Sequence, residues 1–286
     1  MKKNKSLLFQ IYRYQILPIS QTLQLSLLED QPKSIEELIK RKNKYFFETI
    51  TNVDNFSYSH TETIHKVKYS DDNFILLLIG ANRSIDRSTK DFKIEHLDNW
   101  PSVLVAISNK PDIQKVAVQI DKHVFSNTST VIKLLEENIN ARLKTYQLRS
   151  YFESIFEPKT FWDIVETYSG KITQTNFELI SPNMANISDS LEIELGPLHK
   201  NTNTVRTNLE LNSPPDSVLT LQKGDKTVDS LVDYSSKGGG NISLRVKGLN
   251  KKIHTSNNAK EISIDEMEIQ NATPKELSNI FRNLLT

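Results

Sequence analysis

Alternating apolar and polar residues open the chain and predict its first strand. The alternation runs over residues 11–19, with Pro18 near its end, which favours a first or edge strand. The pattern Ser34-Ile-Glu-Glu37 is a capping box, in which hydroxyl and carboxylate satisfy free backbone N–H groups. Apolar residues at helical spacing continue from it to Ile50. An amphipathic helix is therefore predicted after the first strand.

A hairpin is predicted at the centre of the first sheet. Two β-branched runs, 103–108 and 113–120, flank Asn109-Lys-Pro-Asp112, a tetrapeptide typical of turns. The surrounding patterns predict strands at 66–69, 74–80 and 146–155 and a helix over 129–143. The run at 74–80 is continuously apolar, which indicates a strand inside a sheet.

A domain boundary is predicted near Glu157, because Glu157-Pro158 precedes a new capped helix that ends at Gly170. Beyond it the patterns predict strands at 171–180, 206–211, 217–221, 241–247 and 261–264, and helices at 188–205, at 228–236 and from Thr273 onward. We therefore expect an α+β protein of two domains, 1–157 and 158–286, each a mostly antiparallel sheet covered by helices.

Composition narrows the class of protein. The 286 residues are 37% hydrophobic and 25% charged, as in a globular fold, and 36 basic against 35 acidic side chains give a net charge of +1. Bulk charge therefore does not drive the chain onto polyanions, and only a local patch could do so. The absence of cysteine excludes disulfides, thiolate metal sites and cysteine nucleophiles and fits a reducing cytoplasm. The sequence contains no run of 18 apolar residues, so we expect no membrane-spanning helix.

Positive charge is concentrated in residues 234–260, a stretch of 27 residues without a carboxylate. A run of three glycines, 238–240, is expected to turn the chain into a strand on which Arg245 and Lys247 share one face. Such clusters bind phosphate backbones because each neutralised phosphate releases counterions. The candidate nucleic-acid-binding residues here are Lys237, Gly239, Arg245, Lys247, Lys251 and Lys252. A solvated hairpin is the alternative.

The first helix carries a second basic run, with Lys40, Arg41, Lys42 and Lys44 as further candidate nucleic-acid-binding residues. The apolar side chains on either side of this run are expected to point inward, which would display these cations outward. An ordinary solvated helix face is the alternative interpretation.

Recognisable catalytic patterns are lacking, so we expect no catalytic residue, metal or cofactor, and catalysis would lie with a partner. The six histidines show no metal-binding spacing, and no serine occupies a Gly-x-Ser-x-Gly turn. The carboxylates Asp265, Glu266 and Glu268 leave open a divergent magnesium-dependent nuclease.

The segments 12–18, 34–43 and 100–106 resemble uncharacterised bacterial proteins of phage-defence loci. The order of predicted elements also resembles the family of the DNA-binding sensor of the lambda Rex exclusion system. This resemblance implies a non-catalytic, dimeric DNA-binding component of antiviral defence, with a second copy or another defence protein as partner. No functional residue is carried over by motif. We therefore expect binding to a DNA or RNA backbone, with a scaffold subunit of a protein assembly as the alternative.

Overall fold

The computed structural model describes residues 5–23, 32–53, 56–57, 61–181 and 195–286. The chain forms two compact units that interleave along the sequence. The first contains Met1–Gln10, Lys40–Ser150 and Glu261–Thr286, and the second contains Ile11–Ile39 and Tyr151–Lys260. These units differ from the predicted contiguous domains, because the C-terminal segment belongs with the first unit. Among the described helices, none combines the length and apolar character that crossing a bilayer requires.

Thirteen strands and seven α-helices are found in the described residues. The strands are β1 (Ser6–Pro18), β2 (Thr63–Asp71), β3 (Phe74–Ala81), β4 (Ile85–Ser88), β5 (Ile94–Leu97), β6 (Ser102–Ser108), β7 (Lys115–Gln119), β8 (Leu148–Ser154), β9 (Ile172–Ile180), β10 (Arg206–Asn212), β11 (Gly240–Val246), β12 (Ile253–His254) and β13 (Glu261–Asp265). The helices are α1 (Ile35–Thr51), α2 (Thr128–Leu143), α3 (Pro158–Thr167), α4 (Leu195–Thr202), α5 (Lys226–Tyr234), α6 (Glu266–Asn271) and α7 (Pro274–Leu284). The predicted α+β class, with antiparallel sheets covered by helices, is confirmed.

The larger sheet has the strand order β13-β1-β7-β6-β3-β2, and β8 also pairs with β1. The predicted hairpin is confirmed as β6 and β7 in its middle. Strand β1 is the first strand of the chain, as predicted, and it lies inside the sheet rather than at an edge. Its start pairs with β13, from Ser6 opposite Asp265 to Gln10 opposite Glu261.

The core of the first unit forms where α7 packs on β2, β3 and β6. Phe281 of this helix is fully buried and meets Phe9 edge to face, with ring centroids 5.0 Å apart. Every residue of β3 except Leu78 is buried, as its continuous apolar run predicted. The prediction that this strand lies inside the sheet is therefore confirmed by its burial.

The second unit contains a four-stranded antiparallel sheet in the order β10-β9-β11-β12. Helices α3 and α5 bury apolar residues against one face of it, including Phe161, whose ring centroid lies 6.1 Å from that of Phe177. Helix α5 is followed by a wide turn, Ser235–Gly239, that leads directly into β11.

The structure differs from the local predictions at three places. Residues 217–221 are not a strand, because the chain turns after Pro214-Pro215 and Leu219 alone bonds to β9, through the Ile172 carbonyl at 2.7 Å. Of the helix predicted over 188–205, Leu195–Thr202 is helical, and residues 188–194 lie outside the described residues. The short hairpin of β4 and β5 was not predicted.

Candidate nucleic-acid interface

The sheet of the second unit has one apolar and one polar face, because side chains alternate along each strand. In β11, Ile242, Leu244 and Val246 are buried in the core. Arg245 lies on the opposite face and is exposed. The strand pattern therefore places Arg245 on the polar face, and Lys247 follows the end of β11.

Strand register defines the members of this polar face, because directly paired residues share a face. Arg245 is opposite Gln174, and Gln174 is opposite Asn212. The polar residues of this face are Gln174, Asn176, Glu178, Arg206, Asn208, Glu210, Asn212, Asn241, Ser243, Arg245 and His254. Alternation from His254 places Lys252 on the same face. This face is rich in amides and contains no phenylalanine, tyrosine or tryptophan.

Cations gather at one end of this sheet. We call Lys171, Arg245, Lys247, Lys251 and Lys252 the basic edge. The backbone N–H of Lys247 donates to the Lys171 carbonyl at 2.8 Å, which places the chain ends of β9 and β11 side by side. Gly248, with φ of 86°, supplies the left-handed conformation that turns the chain towards β12. Four side chains of the basic edge are exposed and Lys252 is half-buried.

The basic edge is not neutralised by ion pairs of its own fold. None of its five cations forms an ion pair with any residue in the described ranges. Two of these cations act on Glu210. The hydrogen bond from Asn212 lowers the pKa of Glu210, although burial acts to raise it, and Gln174, Lys252 and Arg245 lower it further. One carboxylate therefore offsets part of the charge, and an excess of positive charge remains.

The amides beside the basic edge form a short hydrogen-bonded chain. Gln174 Nε2 donates to Asn212 Oδ1 at 3.0 Å, and Asn212 Nδ2 donates to Glu210 Oε1 at 2.8 Å. Gln174 Oε1 and Asn176 Oδ1 are withdrawn from solvent and accept no hydrogen bond.

Lys237 and Gly239 do not join this site. Lys237 Nζ lies 2.7 Å from Asp233 Oδ2, one helical turn earlier. Gly239 is buried, and a Cβ on it would lie 2.4 Å from Tyr234 Cε1. The predicted glycine turn is therefore buried, and these glycines are required for close packing inside the fold.

The cations of α1 do not form one outward-facing set. Lys42 is 5% exposed, and burial lowers its pKa to about 8, so the prediction that it points outward is wrong. Lys40 is exposed, Arg41 is half-buried, and Lys44 Nζ lies 3.8 Å from Glu48 Oε1. Successive helical residues differ by about 100° in direction, which explains why a continuous basic run divides between surface and core. These residues belong to the first unit.

The carboxylates proposed for a nuclease do not assemble into a metal site. Asp265 caps α6 by accepting from the Met267 backbone N–H at 2.8 Å. Glu266 Oε1 lies 3.6 Å from Lys5 Nζ. No group of three or more potential metal ligands occurs in the described part of the chain. Asp265 and Glu266 are therefore engaged in contacts of their own fold, and the magnesium-dependent nuclease stays an expectation from the sequence.

Sequence reasoning missed Lys171 and the amides of β9. The sequence does indicate that Gln174 and Asn176 belong together, since the alternation over 171–180 places both on one face of a strand. What the sequence could not give was the pairing of β9 with β11, which brings them beside Arg245.

Comparisons of the chain with protein-family models, with curated proteins and with solved structures gave no match. The functional conclusion therefore depends on the residues and geometry of the chain itself.

Proposed function

We propose that the second unit binds nucleic acid through phosphate contacts at the basic edge. The observation that carries the proposal is that Arg245, Lys247, Lys251 and Lys252 meet at one end of a sheet without an ion pair to a described residue. Unpaired cations on an exposed edge attract phosphates and gain affinity by displacing condensed counterions.

A duplex is the better ligand for this surface than a single strand. Open sheets that bind single strands stack bases on aromatic side chains, and the polar face has no phenylalanine, tyrosine or tryptophan. Lysine and arginine on a strand end and turn are suited to backbone contacts, which position a protein on a duplex without reading its sequence. Duplex DNA is therefore the first ligand to test. The role in antiviral defence stays a prediction from the sequence resemblance.

Fluorescence anisotropy with a labelled duplex of random sequence tests the proposal. The test variant replaces Arg245, Lys247, Lys251 and Lys252 by Gln. The control variant replaces four exposed lysines of the first unit by Gln, namely Lys90, Lys122, Lys133 and Lys144. Both lose four positive charges, so only local charge distinguishes them. We expect binding to weaken at least tenfold in the test variant and to change less than twofold in the control.

A protein-binding scaffold is the second candidate, and the hairpin of β4 and β5 favours it. All eight residues of this hairpin are exposed, including Ile85 at 50% and Ile94 at 65%, and Phe92 between the strands is 98% exposed. Exposed apolar side chains grouped in this way are typical of protein contact surfaces. Copurification discriminates the two candidates, since nucleic acid raises the absorbance at 260 nm and a protein partner does not.

A further inference from the structure

A buried cation, Arg13 of β1, lies in the second unit. Its side chain is 8% exposed, and its Nε and Nη1 atoms lack both solvent contact and a hydrogen-bond partner. Together these nitrogens carry three N–H donors. A buried guanidinium with unsatisfied donors is strongly unfavourable unless a negative charge compensates it.

The described surroundings of Arg13 supply no such charge. No described carboxylate forms an ion pair with it. The phenol of Tyr234 is its electrostatic neighbour. Burial raises the pKa of Tyr234 well above its usual range, so this phenol stays neutral, and its hydroxyl donates to the Ile180 carbonyl. Arginine itself remains charged in proteins.

The turn after α5 packs directly on Arg13. Gly238, with φ of 81°, lies so close that a Cβ on it would be 2.5 Å from the Arg13 Cβ. In the same turn, Ser235 is fully buried and its Oγ has no hydrogen-bond partner. A glycine at this position therefore lets the turn close over the arginine, and the turn carries a second unsatisfied polar group.

We propose that Arg13 and the turn Ser235–Gly239 form a binding site for a small oxyanion, in particular a phosphoryl group. Guanidinium donors match phosphate oxygens in geometry and charge, and charge-assisted bonds of this kind are strong. The ligand is small, because 8% exposure of Arg13 leaves no surface on which a duplex could lie. The site is thus separate from the basic edge, and its ligand is either inorganic phosphate or the phosphate of a mononucleotide.

Thermal unfolding of the full chain tests this site, with potassium phosphate or AMP compared against potassium chloride at equal ionic strength and pH. Phosphate also stabilises folded proteins generally by exclusion from their surface, so the readout is the difference between variants. At a hundredfold excess over Kd, we expect the bound anion to raise the Tm of the wild-type protein by roughly 5–10 °C. Arg13→Met should lose this saturable increase. Lys133→Gln, which removes one exposed positive charge from the first unit, should retain it.

Equal increases in the wild-type protein and Arg13→Met, or no saturable increase in the wild-type protein, would overturn the proposal. Should Arg13→Met fail to fold, Arg13→Lys keeps the charge but loses the planar donors and is titrated with phosphate by calorimetry. At least tenfold weaker binding is expected, and unchanged affinity contradicts the site. A response to AMP but not to phosphate identifies the nucleotide as the ligand source. Duplex binding is measured separately, so either proposal can fail alone.

Discussion

Lys42 offers a sharp test of the packing around α1. Its side chain is 5% exposed, and burial lowers its pKa from 10.5 to about 8. Lowering the pKa by about 2.5 means that the fold destabilises the protonated form of Lys42 by roughly 3 kcal/mol, at about 1.36 kcal/mol per pKa unit. Below pH 8 Lys42 is protonated in the folded and in the unfolded state, and burial disfavours the protonated form in the fold. We therefore expect Lys42→Met, which keeps the apolar stem, to raise the free energy of unfolding at pH 7 by up to about 3 kcal/mol.

The sign of the pH dependence follows from which state holds the proton. Between pH 8 and 10.5 the unfolded chain keeps the Lys42 proton while the folded chain has released it. Stability of the wild-type protein therefore rises with pH across this window, relative to Lys42→Met. The difference between the two proteins should shrink as the pH rises from 7 towards 10.

Urea unfolding at pH 7, 8, 9 and 9.5 measures this difference, since other titrating groups are common to both proteins. Lys40→Met, an exposed neighbour on the same helix, serves as the control and should show no comparable pH-dependent difference. Lower stability of Lys42→Met at pH 7, or a difference from wild type that does not change with pH, would refute the reasoning.

Three further predictions concern single contacts. Gly240→Ala should lower the free energy of unfolding by about 3 kcal/mol in urea titrations, because the added Cβ would lie 2.1 Å from the Glu178 carbonyl oxygen. Thr273→Ala should cost about 1 kcal/mol by the same measurement, because it removes the capping box that starts α7. Burial acts to raise the pKa of Asp71, but hydrogen bonds from Arg282 and Tyr69 hold it below its usual value. Arg282→Met should raise the pKa of Asp71 in an NMR titration. Ionised Asp71 then contributes less to stability, so the variant should lose less stability than the wild-type protein as the pH falls below about 4.

Local patterns predicted the elements of the fold better than their pairing. The apolar run at 74–80 and the capped helix from Thr273 are determined by neighbouring residues, and both were found. The placement of β13 beside β1 depends on residues more than 250 positions apart, which no local pattern encodes. Residues 217–221 have the composition of a strand, but Pro214-Pro215 removes two backbone donors just before them.

The candidate site was predictable where strand alternation decides it. Alternation predicted that Arg245 and Lys247 share one face of a strand. Arg245 lies on the polar face of β11, whereas β11 ends at Val246, before Lys247. Lys42 was misplaced because its neighbours in sequence are basic, whereas its burial is set by the position of the residue around the helix axis. The glycine run was predicted as a turn, but the sequence does not show that Tyr234 and Arg13 pack against it.

The salt dependence of duplex binding tests the central claim most directly. Four phosphate contacts through Arg245, Lys247, Lys251 and Lys252 predict a slope of about −3.6 for log affinity against log salt concentration, or roughly a 100-fold loss between 50 and 200 mM. The variant with all four replaced by Gln keeps only Lys171 of the basic edge, so its slope should be no steeper than about −1, and the four-lysine control variant should keep the wild-type slope. A wild-type affinity that does not change with salt, or equal slopes in the two variants, would contradict the proposal.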